Sequence, residues 1–273
     1  MSDTDKLFGG SIPEIYERLL VPLLFKPYAN DLAERVLKNG PKDILETAAG
    51  TGVLTRAIAS RLPLSARIVA TDLNQPMLDQ AKVLARGDDR IEWRQADAQA
   101  LPFANESFDA VVCQFGVMFL PDKVRGYAEA RRVLRPGGSF VFNVWDKISQ
   151  NDFADVVTEA LATVFPDDPP RFLARTPHGH HDEKQIRADL KAAGFTIASI
   201  DAVSARSTAR SPLDVAIAYC QGTPLRHQIE SRDADRLDEA TERAAEALTR
   251  RFGAKAIDGR IRAYVVAAGR PMS

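Results

Sequence analysis

The residues most able to do chemistry in this sequence are acids that surround one glycine turn. The apolar segment 43–48 leads into Gly50-Thr51-Gly52, and Asp72 lies 20 residues beyond Gly52. Glycine has no Cβ and tolerates positive φ, so a Gly-x-Gly turn after a strand brings backbone N–H groups close to a ligand. At this offset a carboxylate can accept hydrogen bonds from ribose hydroxyls. The spacing therefore predicts a nucleotide-cofactor site.

The third residue after Gly52 distinguishes between nucleotides. A dinucleotide site has the pattern G-x-G-x-x-G, in which the last glycine allows a helix to pack closely beside a pyrophosphate. Thr55 stands at that position here, so the sequence fits NAD or FAD poorly. Acids around a glycine turn better suit S-adenosylmethionine (SAM), which has a ribose diol, an adenine and a zwitterionic methionine tail but no phosphate.

Four further motifs follow the turn in order, at residues 72–78, 95–103, 107–116 and 132–138. With the turn, they resemble the class I methyltransferases that use SAM. The resemblance is to the ubiquinone/menaquinone-biosynthesis C-methyltransferases and the small-molecule methyltransferases around them, and it runs from Ile44 to about Trp145. It implies SAM as the cofactor.

The resemblance also implies roles for individual residues. Glu46 would lie near the methionine part of SAM, Asp72 would accept hydrogen bonds from the ribose diol, and Asp97 with Ala98 would hold adenine. Gln114 ends the fourth predicted strand, where the family places a polar residue near the cofactor. The remaining residues expected to bind the cofactor are Ala48, Gly50, Thr51, Gly52, Leu73 and Tyr16.

Several of these residues have a purely structural alternative. Asp72 is also suited to cap the next helix, Asp97 to form a turn, and Gln114 to be an ordinary loop residue. Tyr16 is suited either to core packing or to a lid over the methionine end of SAM. Ala48 stands where the family often has glycine, so its methyl group should narrow the floor of the site.

His178, His180 and His181 are the only clustered histidines in the sequence. An imidazole has an unperturbed pKa that suits a general base. We nevertheless interpret the segment 176–182 as an exposed polar loop. No carboxylate or thiolate lies at a recognised metal spacing, so we expect no metal. The sequence assigns no catalytic residue.

The composition of the 273 residues favours small-molecule chemistry. Lys plus Arg total 36 against 37 Asp plus Glu, so no overall field attracts nucleic acid or anionic lipid. Segment 113–116 also lacks the Pro-Pro-aromatic motif that base-modifying methyltransferases carry. The two cysteines and the lack of a long apolar segment predict a cytoplasmic protein without a membrane span. Homodimer formation is left open.

Alternating apolar runs and helical stretches predict an α/β fold built from right-handed β-α-β units. We expect a Rossmann-like, doubly wound sheet of seven strands, mostly parallel with an antiparallel edge strand, plus a helical cap. The strands are predicted at 43–48, 66–71, 90–94, 108–113, 138–144, 195–203 and 261–268. Ser11-Ile12-Pro13-Glu14 has the form of a capping box, so a helix is predicted from Pro13, with Pro22 as its end or bend. Further helices are predicted at 27–37, 52–62, 76–86, 122–134, 153–163, 183–193 and 232–252.

These elements predict a single methyltransferase domain over residues 1–273. Residues 1–40 would form an N-terminal helical lid, and 41–146 the cofactor-binding core. Residues 147–203 and 259–270 would supply the rest of the sheet and its helices. Residues 204–258 would be a helical insertion that contributes to the cap.

The sequence therefore predicts a SAM-dependent methyltransferase that acts on a small organic acceptor. The acceptor would attack the sulfonium methyl group in line and directly, without a covalent enzyme intermediate. One alternative is a non-catalytic SAM-binding protein. A second is an NAD-dependent oxidoreductase, which Thr55 disfavours.

Overall fold

The computed structural model describes residues 7–272, and within them seven strands form one sheet in the order β3-β2-β1-β4-β5-β7-β6. Residues 1–6 of the predicted lid lie outside this range. The strands are β1 Asp43–Glu46, β2 Arg67–Asp72, β3 Ile91–Gln95, β4 Phe108–Gln114, β5 Leu134–Trp145, β6 Thr196–Ala209 and β7 Ile257–Gly269.

The pairing confirms the predicted fold class. Strands β1 to β5 pair in parallel, whereas β7 is antiparallel to both β5 and β6. The last strand is thus antiparallel, as predicted, but it lies between β5 and β6, and β6 forms the outer edge. The carboxyl ends of β1, β2 and β4 therefore meet at one edge of the sheet, where open α/β sheets bind ligands.

Helices cover the two faces of the sheet. They are α1 Ile12–Ile15, α2 Lys26–Leu37, α3 Val53–Ala59, α4 Gln75–Ala85, α5 Lys123–Val133, α6 Asp152–Val164, α7 Phe172–Arg175, α8 Glu183–Ala192, α9 Pro212–Gln221, α10 Leu225–Glu230 and α11 Leu237–Phe252. A π-helix, Tyr16–Phe25, joins α1 to α2.

Alternate residues of each strand face opposite sides of the sheet. Ile44 packs with Leu32 of α2 on one side, whereas Leu45 belongs to the larger core that includes Tyr127 of α5. The side chains of Ile44, Leu45 and Leu32 are completely buried. A sheet covered on both faces explains the nearly continuous apolar runs of its strands.

The prediction that Ser11 caps the first helix was wrong. Ser11 makes no side-chain cap to the helix, and its hydroxyl instead accepts a hydrogen bond from Arg226 at 2.8 Å. Pro22 was predicted to end or bend this helix, and it does not end it. The chain continues through Pro22 as a π-helix in which Lys26 N–H donates to the carbonyl of Val21. Since proline lacks an N–H, a regular α-helical ladder is interrupted there and wider turns replace it.

The insertion between the last two strands is more compact than predicted. Strand β6 extends to Ala209 and β7 begins at Ile257, so both strands take residues that the sequence pattern assigned to the insertion. The remaining segment holds α9, α10 and α11, and the predicted amphipathic helix corresponds to α11.

Candidate functional site

A cavity of about 820 Å³ opens at the carboxyl ends of β1, β2 and β4. Asp72 and Asp97 are the charged residues that line it, so we call it the acidic cavity. Eight of the eleven predicted cofactor-binding residues line this cavity, namely Tyr16, Ala48, Gly50, Asp72, Leu73, Asp97, Ala98 and Gln114.

Asp72 is the last residue of β2, and its carboxylate is held by neighbouring backbone groups. Oδ2 accepts from Gly50 N–H at 2.9 Å, and Oδ1 accepts from Asn74 N–H at 2.8 Å. Burial raises the pKa of the carboxyl, and these hydrogen bonds oppose the rise. Asn74, rather than Asp72, occupies the cap position of α4. The glycine turn and the acid are therefore one hydrogen-bonded unit facing the cavity.

Glu46 does not line the cavity and is buried, with 1% of its surface exposed. The hydroxyl of Thr55 donates to its Oε2 at 2.6 Å. Burial raises the pKa of Glu46 to about 8, an effect that Thr55 and Arg56 reduce. Thr55, which stands where a dinucleotide site has its third glycine, is thus a hydrogen-bond partner for Glu46 at the end of β1.

Gly52 and Thr51 also lie outside the lining of the cavity. Gly52 has a φ of 80°, and a Cβ there would lie 2.7 Å from Cη2 of Trp93. Glycine is therefore required at position 52 both by the left-handed turn and by the close approach of Trp93 in β3. Thr51 is buried, and its hydroxyl donates to Glu17 Oε2 at 2.5 Å.

Glu17 connects the π-helix to the glycine turn. Its Oε1 accepts from Arg56 at 2.8 Å, and Arg56 in turn donates to the Thr51 carbonyl at 2.6 Å. Together with the Thr51 contact, these bonds form what we call the Glu17 latch. Charge-assisted bonds of this kind are stronger than neutral ones, so the latch holds the π-helix against the turn.

Ala48 has a φ of 52°, a conformation that usually favours glycine. Its methyl group fits because Gly116 lies opposite, where an added Cβ would be 2.4 Å from Cβ of Ala48 and 2.6 Å from Sγ of Cys113. The alanine that replaces the family's glycine is therefore accommodated by a glycine on the facing loop.

Asp97 and Ala98 follow β3 at the rim of the acidic cavity. Asp97 is exposed, and its Oδ1 accepts from Gln99 N–H at 2.8 Å. With this hydrogen bond Asp97 forms a turn, which is the structural role that the sequence left open for it. The same carboxylate lines the cavity, so the turn presents it to a ligand.

Gln114 and Tyr16 bring the π-helix over the cavity. Gln114 ends β4, and its Nε2 donates to the Phe25 carbonyl at 2.9 Å. The Tyr16 ring stacks on Phe25 with centroids 5.0 Å apart and meets Phe8 edge-on at 6.1 Å. Burial and the nearby Asp72 carboxylate raise the pKa of the Tyr16 hydroxyl. Tyr16 thus combines aromatic packing with a place in the cavity wall.

Sequence reasoning missed several residues of this lining. Most of them fall inside the recognised motifs, but the motifs did not indicate which of their residues would line the cavity. Phe8 and segment 119–121 lie outside every motif. The missed residues are Phe8, Asn74, Met77, Ala96, Gln99, Phe115, Gly116, Phe119, Leu120 and Pro121.

A second cavity of about 610 Å³ adjoins the first, and we call it the aromatic cavity. The two share Phe8, Tyr16, Phe115 and Phe119 as lining residues. The aromatic cavity has no charged side chain among its described lining residues. Its other lining residues are Leu20, Leu24, Phe25, Trp145, Asn151, Phe172, Leu173, Pro177, His178, Tyr219, Thr223 and Pro224.

The prediction of an exposed histidine loop was wrong, because His178 and His180 are 5% and 6% exposed. Nδ1 of His178 lies 2.8 Å from the carbonyl of Asp146, just after β5, and Nε2 of His180 lies 3.1 Å from the Tyr127 hydroxyl of α5. Burial lowers the pKa of both imidazoles to about 4. The loop folds inward because β5 and α5 supply these polar partners.

Within residues 7–272, no three His, Cys, Asp or Glu side chains are grouped in a way that would hold a metal ion. Over the same residues, none of the helices combines the length and the hydropathy that a membrane crossing requires.

Comparison with known proteins gives consistent matches. Residues 45–142 match the family described as "Methyltransferase domain". A ubiquinone/menaquinone biosynthesis C-methyltransferase UbiE from Hahella chejuensis is 30% identical over 166 residues, which are 56% of this chain and 67% of that protein. A demethylmenaquinone methyltransferase from Clavibacter sepedonicus is 43% identical over 98 residues, which are 36% of this chain but only 39% of that relative.

A solved structure shows the same fold. The phosphoethanolamine N-methyltransferase 2 of Haemonchus contortus, in complex with phosphomonomethylethanolamine and S-adenosylhomocysteine, aligns with a TM-score of 0.58 at 17% identity. The alignment covers 95% of this chain and 57% of that one.

Proposed function

Since this chain belongs to the class I SAM-dependent methyltransferases, we propose that it transfers a methyl group from SAM to a small, uncharged, largely apolar molecule. The observation that carries the proposal is the shared wall of the two cavities. One cavity is lined by carboxylates and glycine turns, the other by aromatic side chains, and Phe8, Tyr16, Phe115 and Phe119 border both. Cofactor and acceptor would therefore meet along this wall.

The acidic cavity fits a cofactor that carries a ribose and an adenine but no phosphate. Its charged lining residues within the described chain are the carboxylates of Asp72 and Asp97, which would repel a diphosphate and accept hydrogen bonds from hydroxyl and amino groups. We assign Asp72 to the ribose, and Asp97 with Ala98 to adenine. The other predicted contacts in this cavity are Tyr16, Ala48, Gly50, Leu73 and Gln114.

The three predicted residues outside the cavity would support the cofactor indirectly. Thr51 and Gly52 would fix the shape of the turn through Glu17 and Trp93. Glu46 would act from outside the cavity lining, through its hydrogen bond from Thr55. When bound, SAM supplies an activated methyl group on its sulfonium.

The aromatic cavity indicates the chemistry of the acceptor. Trp145 stacks on Phe115 with centroids 3.8 Å apart, and the ring planes are only 7° from parallel. Flat, apolar walls of this kind suit an aromatic ring. The relatives named demethylmenaquinone methyltransferase carry a quinone-derived acceptor in their name, and we propose a ring of comparable character here.

The chain's own contribution to the reaction would be positioning and exclusion of water. The π-helix covers the junction of the cavities and is held there by the Glu17 latch and by the Gln114 bond to Phe25. Holding two reactants at attack distance in a dry site accounts for much of the rate of a bimolecular transfer. No covalent bond between the chain and the acceptor is needed.

We further propose that residues 1–40 act as a lid, and that the insertion 204–258 contributes to the cap. Tyr219 and Thr223 of that insertion line the aromatic cavity, which supports the second assignment. The core would be 41–146, with 147–203 and 259–270 completing the domain. A cytoplasmic location is consistent with two buried, unpaired cysteines. A nucleic-acid acceptor is disfavoured by the net charge of −1, and homodimer formation stays a hypothesis.

Acceptor-dependent release of S-adenosylhomocysteine tests the proposal. The protein is incubated with SAM and a panel of hydroxylated naphthalenes and naphthoquinols, and we expect at least one acceptor to raise the release above background. A non-catalytic SAM-binding protein would bind SAM without any such increase. Tighter calorimetric binding of NAD than of SAM would instead favour the oxidoreductase.

A further inference from the structure

The aromatic cavity contains very few polar atoms that are available to a ligand. Its polar lining side chains are those of Asn151, His178 and Thr223, besides the hydroxyls of Tyr16 and Tyr219 and the indole N–H of Trp145. A ligand buried among aromatic rings is oriented by such atoms, because an unpaired polar group is costly in an apolar site. The partners of each side chain therefore show where a ligand can bond.

Two of these side chains are already committed to the fold. Asn151 Oδ1 accepts from Arg262 N–H at 3.1 Å, and its Nδ2 lies 3.3 Å from three backbone carbonyls. The hydroxyl of Thr223 donates to the Tyr219 carbonyl at 2.7 Å and accepts from Leu225 N–H at 3.1 Å. These groups hold the ends of α6, α9 and α10 in place.

His178 is different because only one of its ring nitrogens is used. Nδ1 lies 2.8 Å from the Asp146 carbonyl, and a carbonyl can only accept, so Nδ1 carries the proton. In the neutral ring, Nε2 then has a lone pair. No hydrogen bond to Nε2 is formed by residues 7–272, while the ring itself lines the aromatic cavity. The ring in the cavity wall thus has an acceptor nitrogen, with a fixed tautomer, that the described residues leave unbonded.

The position of this acceptor is set by the sheet. Asp146 follows β5 directly, and its carboxylate is 3.3 Å from Nε of Arg262 in β7. The His178 ring also lies 6.0 Å, centroid to centroid, from Trp145 at the end of β5. Nε2 is therefore anchored to the central sheet through β5 and beside one of the aromatic walls.

We propose that Nε2 of His178 selects and orients the methyl acceptor by accepting a hydrogen bond from an O–H or N–H group on its ring. This inference rests on the proposed function, since it assigns the aromatic cavity to the acceptor. The substrate class is accordingly a hydroxylated or amino-substituted aromatic molecule. The same ring without a donor group would leave Nε2 unpaired and bind less tightly.

His178 acts in this proposal as a hydrogen-bond partner and not as a base. Burial lowers the pKa of its imidazole to about 4, so the ring is neutral at physiological pH. A phenol has a pKa of about 10 and holds its proton about a millionfold more strongly than this imidazolium. The hydrogen bond therefore places the acceptor while the proton stays on the acceptor.

Calorimetric titration with a matched pair of ligands tests the selection. The probes are 1-naphthol and its methyl ether, 1-methoxynaphthalene, which differ in the O–H donor. We expect the ratio of the ether's Kd to the naphthol's Kd to fall at least about fivefold in His178→Phe relative to the unmodified protein. In His178→Gln, whose side-chain carbonyl can accept, the ratio should be partly retained. His181→Gln, a change in the same loop outside the cavity lining, should leave the ratio unchanged.

A ratio that is the same in His178→Phe and the unmodified protein would overturn the inference and leave the proposed function standing. Failure of the unmodified protein to bind naphthol would also overturn the inference, whereas the proposed function fails only if no acceptor of the panel raises the release of S-adenosylhomocysteine.

A measurement on the unmodified protein covers the case in which His178→Phe does not fold. Nitrogen-15 NMR of the four histidines resolves Nε2 of His178, assigned by its loss in His178→Gln. Naphthol should shift this resonance by several ppm while the methyl ether does not. Equal shifts with both probes would contradict the hydrogen bond.

Discussion

The contribution of the buried Glu46 carboxyl to the stability of this protein should fall as pH rises. Burial raises the pKa of Glu46 from 4.5 to about 8 in the folded chain. Between these values the unfolded chain has lost the proton while the folded chain retains it, so the folded state binds more protons. The contribution of Glu46 to the free energy of unfolding then decreases with rising pH across this window and levels off above about pH 8.

The size of the effect follows from the interval between the two pKa values. About 3.5 pH units at about 1.4 kcal/mol each correspond to a full span of about 5 kcal/mol. About 3 to 4 kcal/mol of this stability is lost between pH 5 and pH 8. Glu46→Gln removes the titration and offers an amide carbonyl that can accept the Thr55 hydrogen bond. The variant should therefore gain stability relative to the unmodified protein as pH rises.

Urea denaturation followed by far-UV circular dichroism at pH 5, 6, 7, 8 and 9 measures this difference. Glu92→Gln serves as a control, because Glu92 is an exposed glutamate on β3. A difference between Glu46→Gln and the unmodified protein that stays constant from pH 5 to pH 9 would refute the reasoning. It would mean that the carboxyl is solvated or paired in the folded state.

Three further outcomes test the site and its lid. Asp72→Ala should weaken SAM binding by about 1.5–3 kcal/mol, and unchanged calorimetric affinity in a folded variant would contradict the assignment to ribose. Glu17→Gln should speed amide hydrogen exchange in the π-helix several-fold, whereas the exposed Glu14→Gln should not, and equal exchange in the two variants would argue against the latch. Gly52→Ala should lower the free energy of unfolding by about 2 kcal/mol, because its φ is 80° and the new Cβ would meet Trp93. A cost below about 0.5 kcal/mol in urea denaturation would show that Trp93 moves freely.

The acidic cavity was predictable to a large extent because its residues belong to short, ordered motifs. Asp72 and Gln114 each end a parallel strand, and parallel strands bring their carboxyl ends to one edge of the sheet. Spacing in the sequence therefore translates into proximity in space. The same reasoning placed Glu46 at the strand end but could not show that its carboxyl is buried and bonded to Thr55.

The aromatic cavity could not be predicted, because it is assembled from segments that have no fixed spacing. Tyr16, Trp145, Phe172 and Tyr219 come from the π-helix, β5, α7 and α9. Aromatic residues in helices most often pack in cores, so periodicity alone could not distinguish a wall from a core.

The sequence by itself determined the fold class and the type of cofactor, since strand periodicity, the glycine turn and the acids at strand ends are local features. Only the tertiary structure decided the environment of each polar side chain. His178 is a buried acceptor because the Asp146 carbonyl lies beside it, and Ala48 fits at a positive φ because Gly116 faces it. Burial, tautomer and contact depend on residues that are distant in the chain, and so they are set by packing.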